Sequence, residues 1–146
     1  MAITSAICNS FKVEILTATH NFTASSGNTF NLALYTSSAT INKSTTAYSS
    51  TNEISNTSGS AYSAKGKALT SVTPVLDSDT AVCDFSNSSW TSASFTARGC
   101  LIFNDSHASD ASVCAIDFGG DKTVTSGTFT VEFPAVAAST AIIQIA

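Results

Sequence analysis

Two histidines, four cysteines, ten carboxylates and one arginine are the residues of this chain best suited to chemistry, and their spacing assembles little of it. His20 and His107 each lack a second His, Cys or carboxylate at helix-face or knuckle spacing, which a zinc site requires, so both read as isolated surface side chains. Cys8, Cys83, Cys100 and Cys114 are too widely spaced for a disulfide-dense miniature or a zinc knuckle. Three of them sit in apolar runs, Ala-Val-Cys, Cys-Leu-Ile-Phe and Val-Cys-Ala-Ile, and are expected to be small buried hydrophobes.

Serine is abundant, but a nucleophilic serine needs a base and a strained elbow of the Gly-x-Ser-x-Gly kind, and no such elbow occurs. Asp77, Asp79 and Asp84 could gather as acids in any turn could; paired carboxylates for glycoside chemistry need a defined separation that spacing alone does not provide. Oxygen donors concentrate in Asn104-Asp105-Ser106-His107-Ala108-Ser109-Asp110. That run lacks the glycine and terminal glutamate of a helix-loop-helix calcium site and reads as a solvated turn. Gly119-Gly120 precedes Asp121-Lys122 and a β pattern rather than a helix, so it reads as a hairpin turn and not a phosphate cradle. Arg98, between Ala97 and Gly99, is expected to pair with an acid such as Asp117. Asn-x-Ser/Thr sequons begin at Asn21, Asn42, Asn56, Asn87 and Asn104, a number near chance for so many hydroxyl residues. No catalytic, cofactor or metal residue is assigned, and the chain is not expected to be an enzyme.

The elements that would hold these residues follow from composition and period. Charged residues make up 11% of the 146, less than half the usual share of about 25%, and hydroxyls fill the gap. Ser and Thr supply roughly a third of the chain, a bias toward pleated, half-buried surfaces. The net charge of −4 and the scattered basic residues Lys12, Lys43, Lys65, Lys67, Arg98 and Lys122 argue against nucleic acid and against anionic membranes as partners. No apolar run approaches the roughly 20 residues of a spanning helix, and residues 1–9 carry no signal-peptide pattern; synthesis and retention in cytoplasm are expected.

Residues 5–20 place Ile7, Phe11, Ile15 and Leu16 on one side of a 3.6-residue period, which predicts an N-terminal amphipathic helix or arm within residues 1–22. Phe30, Leu32 and Leu34 then alternate to Tyr35 and predict a strand. Residues 36–60 are almost wholly Ser, Thr, Asn, Gly and Ala and predict a long connection, pinned by Tyr48 and Ile54 and eased by short helical turns near residues 45–52. Strands are expected at 67–76, 80–85, 94–103, 112–118, 127–133 and 141–145, each bounded by turn residues. One helix and seven or eight strands make a single domain, mainly β. The expected fold is an antiparallel β-sandwich over residues 28–146, jelly-roll-like in topology, with an immunoglobulin-like sandwich as the alternative.

Several stretches carry a resemblance. Phe11-Lys12 through Phe22, Phe30-Asn31-Leu32-Ala33-Leu34-Tyr35-Thr36-Ser37, Thr45-Thr46-Ala47-Tyr48, Thr51-Asn52-Glu53-Ile54-Ser55, residues 90–104 and Ile116-Asp117-Phe118-Gly119-Gly120-Asp121-Lys122 follow in an order that resembles small virion proteins of tailed bacteriophages, in particular capsid decoration (cement) proteins. The chain departs from that pattern in a loop 36–60 richer in Ser and Asn, and in Cys100 and Cys114 where Ala or Val is expected. The resemblance implies a jelly-roll-like structural protein on the outer surface of the capsid. There it would bridge major capsid subunits as a homo-oligomer, a dimer or trimer, with no cofactor.

On that reading, Ile7, Phe11, Ile15, Tyr48 and Ile54 are the expected contact residues. The alternative is a tail-associated or fibre-tip module that binds a host surface ligand, for which Tyr48, Tyr62 and Trp90 are the stacking candidates.

Overall fold

The structure, a computed structural model, describes residues 2–55 and 59–146; the Asn56 sequon and part of the 36–60 connection lie outside the described residues. Two antiparallel sheets face one another. The larger has the order β1-β7-β6-β2-β3, built from Ala6–Ile7 (β1), Ala111–Val131 (β7), Ser88–Asn104 (β6), Phe30–Tyr35 (β2) and Lys67–Ala68 (β3). The smaller has the order β4-β5-β8, from Ser71–Asp77, Thr80–Phe85 and Ile143–Ile145. The expected mainly-β sandwich with a single helix is the observed fold. Its chain crosses between sheets after β3, after β5 and after β7, while β6 and β7 stay together as one long hairpin.

The core forms where alternation meets the second sheet. Phe30, Leu32, Ala33 and Leu34 have no exposed surface, and β2 is paired with β6 along its length and with β3 at Asn31 and Leu32. Phe30 of the large sheet meets Phe85 of the small one at 5.9 Å between ring centroids, and Phe22 stacks on Phe30 at 4.2 Å. Aromatic pairs of this kind add about 0.5–1.5 kcal/mol each beyond the area they bury, so this cluster is a principal weld between the layers.

Four expectations are corrected. The helix is α1, Asn9–Leu16, half the length of the 5–20 span. Ala6 and Ile7 are drawn into the sheet opposite Ala115 and Cys114, and the chain leaves the helix at Thr17 and Ala18, the latter at φ 59°. The 67–76 span is two strands in different sheets, because the chain crosses the sandwich at Leu69 and Thr70. The first bonds back to the Phe30 carbonyl, and the carbonyl of the second accepts from Ser86.

Gly119-Gly120 is not a hairpin turn but an interior point of the 21-residue β7. Gly119 takes φ +76°, its N–H donating to Asp117 Oδ1, and so absorbs an irregularity in the pairing with β6 without reversing the chain. The real reversal is residues 105–110, ending at Asp110 with φ 50°.

Fourth, residues 45–52 hold no helix; the 36–55 stretch instead alternates extended chain with single turns at 37–38, 43–44 and 51–52 and is stitched by isolated bridges. Ile41 pairs with Ile3, Ala47 with Ala111 and Glu53 with Tyr35, and Ala39 and Ile41 are buried. The unpaired polar backbone that makes a long structureless loop costly is thereby satisfied.

Candidate functional site

Of the five expected contact residues, two belong to the interior. Phe11 is 3% exposed and packs 6.0 Å from Phe22, and Ile54 is 6% exposed with its N–H on the Leu34 carbonyl. Ile7 and Ile15 are half-buried against the same core, and Tyr48 is half-buried over Phe103 at 4.8 Å. The five do not form one patch. The face of α1 read as outward contact is the face that packs inward, and what the helix presents to solvent is Val13, 64% exposed, and Leu16, 86% exposed.

Nor is residues 1–22 a detachable arm. Ile3, Cys8, Phe11 and Phe22 are all part of the core cluster. Three residues that read as one amphipathic stripe along a straight helix are divided among a strand, a buried helix position and a half-buried one.

The loop residues converge instead on Glu53, the only acid between Glu14 and Asp77. Tyr48 donates its hydroxyl to Oε2 at 2.6 Å, and Tyr62 donates to Oε1 at 2.7 Å while accepting from the Leu34 N–H at 2.9 Å. Tyr35 donates to the Ser49 carbonyl at 2.7 Å. Burial, then the bond to Glu53, pushes the Tyr48 phenol up to about 12 and the Tyr62 phenol higher still; burial and then the charge of Glu53 raise Tyr35. The two phenols and the Glu53 carboxylate together anchor the loop. An isolated acid in a hydroxyl-rich stretch is the signal that could have identified it.

Next to this anchor, Lys65 settles the oxygen-rich turn. Its ammonium lies 2.9 Å from Asp105 and 2.9 Å from Asp110, and 5.8 Å from the centre of the Tyr48 ring. The two carboxylates the sequence offered for calcium therefore already face a cation belonging to the chain.

His20, expected at the surface, is 6% exposed. Its ring sits among Phe11, Phe22 and Phe30, with Nε2 2.8 Å from Glu14 and Nδ1 3.1 Å from Asn104 Nδ2. Asn104 Oδ1 accepts the Ser106 N–H and its Nδ2 also donates to Asn28, so the amide presents a donor to His20. Nε2 then carries the proton and donates it to Glu14. This set ties α1 to the end of β6. Arg98 pairs as expected with Asp117 at 3.1 Å, and reaches Asp121 at 3.7 Å. All four cysteines are unpaired and buried, and burial raises each thiol. Among the described residues no three His, Cys, Asp or Glu side chains gather as metal ligands, and no helix is long and apolar enough to cross a membrane.

The molecule leaves open both hydroxyl-lined and apolar clefts. The three-stranded sheet is too narrow to cover the long β6–β7 hairpin, and an open cleft of about 630 Å³ remains, lined by Ile116, Phe118, Val124, Phe129, Phe133 and Ile142 with Lys122 and Glu132 at its margin. Phe129, Val131 and Phe133 alternate with polar residues and read as core from sequence; the aromatics are half-buried because the opposing layer stops short of them. The outer edge of β7 is paired by β1 at Cys114 and Ala115 and bonded by residues 46–47 at Ala111 and Ser112, and no other described strand pairs with it. A smaller apolar groove separates α1 from the small sheet, between Ile15, Pro74, Cys83 and Ile145, near exposed Leu76 and Ile145. The sugar-stacking candidates are mostly unavailable, Tyr62 being 1% and Trp90 3% exposed. The chain matches no protein-family model, no curated protein and no solved structure.

Proposed function

We propose that this chain is a structural protein of a bacteriophage virion, a capsid decoration or cement protein. On this reading it stabilises the head by bridging major capsid subunits from the outer surface, as a homo-oligomer. One observation carries the reading beside the sequence resemblance. Several groups able to do chemistry are paired with one another within the chain, while an apolar cleft and the apolar side chains Val13 and Leu16 of α1 stay open to solvent. Glu53 is held by Tyr48 and Tyr62, His20 by Glu14 and Asn104, Lys65 by Asp105 and Asp110, and Arg98 by Asp117. Contact is what such a surface offers, and many modest contacts engaged together stabilise a shell without any one being strong. Burial of Tyr62 and Trp90 weighs against the alternative, a fibre-tip module that stacks a host sugar.

Heads assembled without this protein are expected to release DNA at lower temperature, and addition of purified protein should restore them. Quantitative gels of virions should give hundreds of copies, as an estimate from shell geometry, rather than the few dozen of a tail component. Substituting Val13→Ser and Leu16→Ser, both on the outward side of α1, should leave the fold intact and weaken head binding. Heads that keep full binding of this double variant would exclude α1 as a contact; heads equally stable without the protein would exclude the cement role.

A further inference from the structure

We draw no further inference here: the strongest candidate, the apolar cleft lined by Ile116, Phe118, Phe129 and Phe133 of the β7 region, is an open face with nothing in the structure to show what covers it.

Discussion

Asp84 lies on β5 with no exposed surface, its Oδ1 accepting the Phe85 N–H at 2.8 Å and its Oδ2 without a hydrogen-bond partner. Burial raises its carboxyl above the ordinary 3.8, against the opposing pull of the nearby backbone N–H groups of Phe85 and Ile142. Below 3.8 both folded and unfolded chains hold the proton, and the full stability is present. As pH rises through the folded value, the unfolded chain ionises freely while the folded one must bury a charge, so stability is lost. Asp84→Asn removes that loss. Its urea midpoint relative to the parent should be higher at neutral pH than at about pH 3.5; an identical difference at both would show that the carboxyl does not titrate against folding.

The three tyrosines make a second residue-scale test. With every phenol raised, the folded state is favoured below the ordinary value of 10.0 and loses that advantage as pH climbs toward the folded values. Phenolate absorbance should therefore stay low at about pH 11 and appear together with loss of the β circular-dichroism signal. Early ionisation in the folded protein of Tyr48 or Tyr62, assigned by Tyr→Phe variants, would contradict the Glu53 anchor.

Elements meet their limits where backbone passes close to backbone. Gly66, just before β3, has φ +67°, and a Cβ there would lie 1.8 Å from the Leu32 carbonyl oxygen on β2. Gly119 on β7 has φ +76° with nothing within 4 Å of such a Cβ. Gly66→Ala should thus cost several kcal/mol, on the order of 3 or more, by forcing β3 off the sheet edge, whereas Gly119→Ala carries only the left-handed backbone penalty of about 1–2 kcal/mol. Chemical denaturation of the pair checks the order; equal losses would mean that close approach to β2 is not what Gly66 serves.

At the scale of the molecule, the core is closed to solvent at one end and open at the other. Cys8 and Cys100 have no exposed surface, Cys114 is 3% and Cys83 7% exposed, and the Cys83 thiol is pushed up to about 12 by burial and the neighbouring Asp84 charge. Thiolate is the reactive form, so a thiol reagent at neutral pH should leave all four unmodified in the native protein and titrate four in denaturant. Modification faster than global unfolding would indicate local opening around β1 or β5. At the other end, the half-buried Phe118, Phe129 and Phe133 border the cleft because five strands on one side face three on the other.

Sequence alone was sufficient for whatever depends on local period and residue type. Alternation at Phe30–Tyr35 and Thr80–Phe85 marks β2 and β5 at their observed limits, the apolar neighbours of the cysteines mark them as buried, and Arg98 finds Asp117 because both sit on adjoining strands of one hairpin. Which of several apolar residues faces inward was decided only by tertiary contacts. Phe11 and Leu16 share a stripe on paper, yet one is sealed against Phe22 while the other stands 86% exposed, because α1 ends at Leu16 and the small sheet does not extend beneath it. Asp84 and Val82 break the alternation of β5 for a related reason: β5 is buried on both faces over residues 82–85. Local pattern records how a strand divides its two faces; it holds no record of how far the opposing layer reaches, and that reach determines both the buried His20 and the open cleft.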